Sequence, residues 1–339
     1  MNSFGSLIRL TTFGESHGKA MGGILDGMPP GVVIDMDIVR HHLERRRPGS
    51  GQGVSQRKET DDVEILSGIS PVGETLGTPI GFIIRNKDAR SEDYAGYTGK
   101  YRLNHADYTY HRKYGIHDFR GGGRASARET VSWVVAGSIV RQWLWKARIA
   151  FDAKYVATLD AMKAASEGDS VGGIVTGKIT GLPAGLGEPV FDKLQSRLGA
   201  AMLSINAVKA FEYGDGNRSA RMKGSECADR FRIPHDPLTP FSSNHCGGIM
   251  GGISNGMEVN FNVYFKPAPT IMRPMETIDT EGKPCVIEPK GRHDSCVAIR
   301  AVPIVESMAA LVIGDMVRLH QSYVPLERYP EGYDPGPIL

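Results

Sequence analysis

The chain has 339 residues, 40% of them hydrophobic and 23% charged, the composition of a globular protein large enough to bury a substantial core. Its 40 Lys and Arg against 38 Asp and Glu leave a net charge of +2; residues 1–150 carry 21 of those cations against 16 anions, with no basic run beyond Arg45-Arg46-Arg47. That distribution excludes a nucleic-acid tail and fits a localised anion site, while 42 glycines in short clusters imply tight turns and close backbone approaches, not collagen or low complexity.

In chain order, "SLIRLTTFG" (residues 6–14) predicts a strand ending in a turn, and "GGILDGMPPGVVIDMD" a strand, a Pro-Gly turn and a second strand. "DIVRHHLERRRPG" predicts a helix with Ile38, Val39, His42 and Leu43 on one face, stopped by Pro48-Gly49. "VEILSGI" and "TPIGFIIRN" predict a hairpin-like strand pair. Residues 86–124 are polar, rich in Tyr, His and Arg, and aperiodic, as functional loops are. "SARETVSWVVAGSIVRQWLWK" (126–146) predicts a largely buried helix. Ala127, Val131, Val135, Ile139 and Trp143 form its stripe, Val134 widens it, and Ser126 and Glu129 make an S-x-x-E capping box. "GGIVTGKITGLP" predicts strands, "VFDKLQSRLGAAMLSI" a helix, "EVNFNVYFK" an alternating strand and "VPIVESMAALVIGDMVRLHQ" a second buried helix. Met21-Gly22-Gly23-Ile24 recurs as Met250-Gly251-Gly252-Ile253, which predicts two similar halves.

Cys227, Cys246, Cys285 and Cys296 form no C-x-x-C pair, so reduced thiols are expected and no metal site. The N-terminal residues lack a signal-peptide core, and no apolar run approaches the roughly 18 residues of a membrane helix. A cytoplasmic protein is expected.

Gly14-Glu15-Ser16-His17-Gly18 matches G-x-S-x-G, the nucleophile elbow of serine hydrolases. A hydrolase acting through Ser16 is the alternative function. The elbow needs a helix after the serine, and "GKAMGGILDG", with four glycines in ten residues, is a poor helix. On a strand, His17 would also point to the face opposite Ser16. The better site is "DFRGGGRASARE", a glycine turn feeding a helix N-terminus, which suits phosphate. Arg124 and Arg128 there are unfavourable against the helix dipole unless an anion offsets them. The motif is neither a Walker loop nor a Rossmann fingerprint. His105, Asp107 and His111 in "NHADYTYH" make a weak metal set, because no further ligands follow at helical spacing.

Taken together, "GESHGKAMGGILDGMP", "GRASARETVSWVVAGSI" and "RHDSCVAIRAVPIVESM", in that order, resemble the chorismate synthase family over nearly the whole chain. "HADYTY", "SINAVK", "GGISNG" and Lys266-Pro267 add agreement. The resemblance implies an α/β (α+β) fold with helices sandwiched between antiparallel sheets. It is one internally duplicated domain over residues 1–339, usually a homotetramer. It implies a lyase that removes phosphate and a ring hydrogen from 5-enolpyruvylshikimate 3-phosphate in an anti-1,4 sense, giving chorismate, with reduced FMN as cofactor and no nucleic-acid or membrane partner.

By the same resemblance His17 protonates the departing phosphate, His105 lies beside flavin N1 and O2, and Asp294 lies near flavin N5. Arg46, Arg47, Arg102 and Arg128 bind the substrate's anions. Arg124, Ala125, Ser126, Asn206, Ala207, Asn255, Gly256, Lys266, Pro267, Ala268, Pro269, Thr270 and Arg292 hold the flavin. The chain departs from the family's common pattern at Ala125, where a serine is frequent, at "RLNH" in place of "RPGH", and at Gln52 in place of an arginine. It also looks short around residues 148–165.

Overall fold

Strand periodicity of two and helical stripes of apolar residues build four layers, sheet–helix–helix–sheet. The computed structural model of the chain describes residues 1–47, 61–87, 96–116, 118, 121–234, 236, 240–288 and 294–323. Pro48, Gly49, Gln52, Arg292 and His293 lie outside the described residues.

The first half runs β1 (Ser3–Phe4), β2 (Arg9–Gly14), β3 (Ala20–Asp26), α1 (Met36–Arg46), β4 (Val63–Ile65), β5 (Ile80–Arg85), α2 (Asp107–Tyr114) and α3 (Thr130–Lys146). Its strands form an antiparallel sheet in the order β1-β2-β3-β5-β4. The second half runs β6 (Ala150–Ala157), α4 (Ala161–Ser166), β7 (Gly173–Thr180), α5 (Leu194–Leu203), β8 (Val208–Tyr213) and α6 (Gly224–Cys227). It continues with β9 (Ile249–Met250), β10 (Ile253–Ser254), β11 (Val259–Phe265), β12 (Met275–Ile278), β13 (Pro284–Ile287) and α7 (Val302–Gln321). Here β6-β7-β11-β8 form a second antiparallel sheet, with β9–β10 and β12–β13 as separate hairpins.

Packing follows the patterning. β11 buries every second residue, Val259, Phe261, Val263 and Phe265, as a one-sided sheet requires. Helix α3 lies on β2, β3 and β5, while α7 lies on β6 and β7, and the two helices pack on each other at the centre. That contact needs small residues: a Cβ on Gly137 of α3 would collide with Cα and Cβ of Ser307 of α7. Of the predicted stripe, Val131, Val134, Val135, Ile139 and Trp143 are buried as expected, whereas Ala127 is half-buried in the short turn before α3.

Two buried carboxylates of α7 tie the layers together. Glu306 accepts from Arg45 Nη1 and Nη2 (2.8 and 2.9 Å), from Arg141 Nη1 (2.7 Å) and from the Ala153 amide (3.2 Å). Burial pushes its carboxyl up, but Arg45 and Arg141 outweigh burial and hold it below the usual range. Asp315 accepts the amides of Ser6, Leu7 and Ile8, fixing the segment before β2 on the core.

Several expectations need correction. Val32–Ile34 does not become a strand; only an isolated bridge joins Val33 to Glu74. Ile38 is exposed, so the buried face of α1 is Val39, His42, Leu43 and Arg46. "GGIVTGKITGLP" makes one strand, and β6 and β8 went unread in the sequence. Ser126 accepts from the Arg128 amide at 3.3 Å, but Glu129 does not close the box. Its carboxylate turns inward to Thr12, Arg124 and Trp133. The Met-Gly-Gly-Ile echo falls inside β3 in one copy and on the β9–β10 turn in the other, so it marks no equivalent elements. Segment Val297–Gln321 is long and apolar enough to cross a membrane, contrary to the sequence estimate, and most of it is buried within the fold.

Candidate active site

A cavity of about 320 Å³ opens where the end of α1, the turn before α3, the loop before α2 and the loop after β11 meet. Six cationic side chains line it, Arg46, Arg47, Arg102, Arg128, Lys266 and Arg300, against the carboxylates of Asp61 and Asp294. Such a surplus suits a ligand with several negative charges.

Helix phase sorts the arginines of α1, because successive residues turn about 100°. Arg45 faces Glu306, whereas Arg46 is buried beside the cavity and donates from Nη2 to Asp61 Oδ2 at 3.0 Å. Burial pulls the Arg46 guanidinium down to about 10, so it remains charged at neutral pH. Arg128, in the short turn that opens α3, donates from Nη1 to Asp61 and from Nε to Asn86 Oδ1 (3.1 Å). Burial pushes the Asp61 carboxyl up, yet Arg46 and Arg128 together hold it below the usual range. Asp61 therefore presents two guanidinium groups side by side, in the geometry that favours a bound anion.

The loop before α2 contributes Tyr97, Arg102, Asn104, His105 and Ala106. Asn104 has φ of 53°, a left-handed conformation that asparagine tolerates better than most residues, so the "RLNH" departure still turns the chain. Its carbonyl accepts Lys266 Nζ at 3.2 Å, and the Arg102 guanidinium lies 5.5 Å from the Tyr97 ring centroid. Across the cavity Asn206 donates from Nδ2 to the Ala125 carbonyl at 2.9 Å. Its Oδ1 is buried without a hydrogen-bond partner among the described residues. A buried orphan acceptor is costly unless a ligand donor meets it. Asp294, 8% exposed, pairs with Arg300 Nη2 at 2.5 Å. It is not the cap of the following turn, whose N-cap is Cys296.

Of the sequence-predicted residues, Arg46, Arg47, Arg102, His105, Ala125, Ser126, Arg128, Asn206, Ala207, Lys266, Ala268, Pro269, Thr270 and Asp294 meet at this cavity. His17 stands just behind it: a Cβ on Gly121 would strike its ring, and Gly122 lines the cavity. Contrary to the strand argument, Ser16 Oγ and His17 Nδ1 are 3.0 Å apart, because both sit in a turn where strand alternation does not apply. The chain after Ser16 enters β3, not a helix, so the elbow is not formed.

Arg124 turns away from the cavity. It donates to the Gly14 carbonyl (3.2 Å), Glu129 Oε2 (2.8 Å) and Thr12 Oγ1 (2.8 Å). Asn255, Gly256 and Pro267 do not line the cavity either, and the Asn255 amide donates to Cys246 Sγ at 3.4 Å. Sequence reasoning missed Asp61, Tyr97 and Arg300. Only Arg300 carried a signal, as a cation six residues after Asp294 at a helix entrance.

This fold and this basin define an α+β protein with a cation-lined cavity between loops of both halves. A sequence profile described as chorismate synthase matches residues 8–162 and 150–318. A chorismate synthase of Christiangramia forsetii is 50% identical, over 93% of this chain and 96% of that protein. One from Flavobacterium psychrophilum is 46% identical, over 95% and 98%. A crystal structure of a chorismate synthase aligns with TM-score 0.72 at 27% identity, covering 94% of this chain and 93% of that one. The chain belongs to the chorismate synthase family.

Proposed function

We propose that the cation-lined cavity is the catalytic site, with Arg46, Arg47, Arg102 and Arg128 binding the substrate's anionic groups, His17 acting as acid toward the leaving phosphate, and His105 and Asp294 facing the flavin. The activity is that of the family: elimination of phosphate from 5-enolpyruvylshikimate 3-phosphate to form chorismate in the shikimate route to aromatic amino acids, with reduced FMN as cofactor. The observation that carries the residue assignment is the excess of six cations over two carboxylates around one cavity, since the substrate bears a phosphate and two carboxylates.

The residues present fit a flavin. The buried Asn206 Oδ1, lacking a protein donor among the described residues, suits a ring N–H. Lys266, Ser126 and Thr270 are suited to its phosphate and hydroxyl groups. The chemistry that reduced FMN supplies when bound is electron density, which lets phosphate depart although the ring hydrogen is not acidic. The protein's share is charge and proton placement. Guanidinium pairs hold the phosphate and carboxylates bidentately, and their charges stabilise the phosphate as it leaves. His17, behind Gly121, takes the acid's part in this reading by family resemblance. Roles for Arg124, Asn255, Gly256 and Arg292 in flavin binding belong to this reading by family resemblance alone. A cytoplasmic homotetramer belongs to this reading by family resemblance alone.

The test is anaerobic turnover of the substrate with and without reduced FMN, in the wild type and in His17→Ala. General acid catalysis is worth roughly 10² to 10⁴ in rate; the variant should lose that factor while binding reduced flavin as before. Wild-type turnover in His17→Ala would remove His17 from the mechanism.

A further inference from the structure

Asp107, the first residue of α2, does not line the cavity and is fully buried, yet it touches two residues that do. Its Oδ1 accepts from His105 Nδ1 at 2.8 Å and from Arg102 Nη2 at 2.7 Å. Its Oδ2 accepts from Arg102 Nε at 2.8 Å and from the Arg102 backbone amide at 3.0 Å. Four of the donors that meet this carboxylate thus come from His105 and Arg102. Burial alone would push the carboxyl up; His105 and Arg102 outweigh it and hold it well below the usual range. The group is therefore ionised and acceptor-only at any working pH. An acceptor-only carboxylate requires that the facing ring nitrogen carry a hydrogen. His105 is 17% exposed on its side chain, and Nδ1–Asp107 is the one hydrogen bond of its ring among the described residues.

We propose that Asp107 is the positioning residue of this site: it holds His105 with a proton on Nδ1 and Nε2 turned to the cavity, and locks Arg102 beside it through a second face of the same carboxylate. The assignment rests on the reading above that His105 faces the flavin. In the neutral ring Nε2 is an acceptor for a ligand N–H or O–H. In the protonated ring it is a donor to an anionic ligand atom. One carboxylate so couples the imidazole on the flavin side to a guanidinium on the substrate side.

Asp107→Asn separates this role from simple packing. The amide is isosteric but brings a donor, so two of the four contacts become donor against donor: both fall on Arg102 if Nδ2 takes the place of Oδ2, and one falls on His105 and one on Arg102 if it takes the place of Oδ1. The cheapest relief is for His105 to move its proton to Nε2, since Arg102 cannot give up a hydrogen. The experiment is 15N NMR of the full-length protein labelled in histidine, with the His105 signals assigned by their loss in His105→Ala, together with kcat for each variant. The wild type should show neutral His105 as the Nδ1–H tautomer, and Asp107→Asn should move it toward Nε2–H. Asp107→Asn should cost at least tenfold in kcat in the wild-type background, and under threefold further in the His105→Ala background. A wild-type His105 with its proton on Nε2 overturns the proposal, and that measurement stands even if the variant does not fold. An equal kcat loss in both backgrounds also overturns it, reducing Asp107 to support of Arg102 or of the fold. Wild-type turnover in His105→Ala would instead sink the role given to His105 itself, an outcome distinct from either.

Discussion

Removing the charge of Asp61 tests the electrostatics of the basin directly. The Asp61 carboxylate, on a residue 3% exposed, balances Arg46, itself 3% exposed, and Arg128. Asp61→Asn keeps the shape and one acceptor but leaves two neighbouring guanidinium charges uncompensated. Breaking a buried ion pair from one side costs roughly 3–5 kcal/mol. Because the amide oxygen still serves one arginine, the lower end, about 3 kcal/mol, is expected. Without ligand the variant should melt several degrees below the wild type. An anion that binds only the folded state restores stability as RT ln(1 + [L]/Kd), about 2.7 kcal/mol at 100 times Kd. Inorganic phosphate should raise the Tm of the variant more than that of the wild type, because in the wild type the Asp61 carboxylate already occupies both guanidinium groups. The assay is calorimetry of both proteins in a phosphate titration at constant ionic strength, which holds screening fixed. Equal Tm responses to phosphate in the two proteins would refute the idea that Arg46 and Arg128 form an anion site balanced by Asp61.

Two further outcomes are expected. Burial beside Arg141 and Arg45 pulls buried His42 from 6.5 down to about 4, so the unfolded chain takes up a proton that the folded one does not. Stability should fall as pH drops from about 6.5 to about 4, by about 3 kcal/mol over that window; His42→Gln should flatten the pH dependence of Tm there, and an unchanged slope would show that His42 is not its source. Asp294→Asn should fold and bind FMN within a few-fold of wild type but turn over much more slowly in single-turnover experiments, because it keeps a hydrogen-bonding group for Arg300 and loses the charge facing the cavity. An unchanged rate would make Asp294 only the partner of Arg300.

The sequence by itself determined the elements whose burial is periodic. The i+4 stripe of α3, the apolar run of α7 and the alternation of β11 are local patterns, and each appears where the residues place it. It also determined the family, through three long motifs in order, and so most of the residues that ring the cavity. Short or edge elements were not legible. β6 and β8 have no apolar alternation strong enough to stand alone, and Val32–Ile34 has the composition of a strand but only a single bridge to Glu74. What the tertiary structure decided is direction and company. In Arg45-Arg46-Arg47 the residue type is the same three times, yet helix phase sends Arg45 to Glu306 and Arg46 to Asp61. Arg124 and Arg128 flank one cap, yet only Arg128 faces the cavity, because the Glu129 carboxylate draws Arg124 to the other side. Ser16 and His17 meet because their backbone turns, which strand periodicity could not foresee. Asp61 joins Arg46 and Arg128 only once segments from distant parts of the chain converge. Periodicity records which side of an element is buried. The partner of a charged side chain depends on which other elements arrive beside it, and that is a property of the packed molecule.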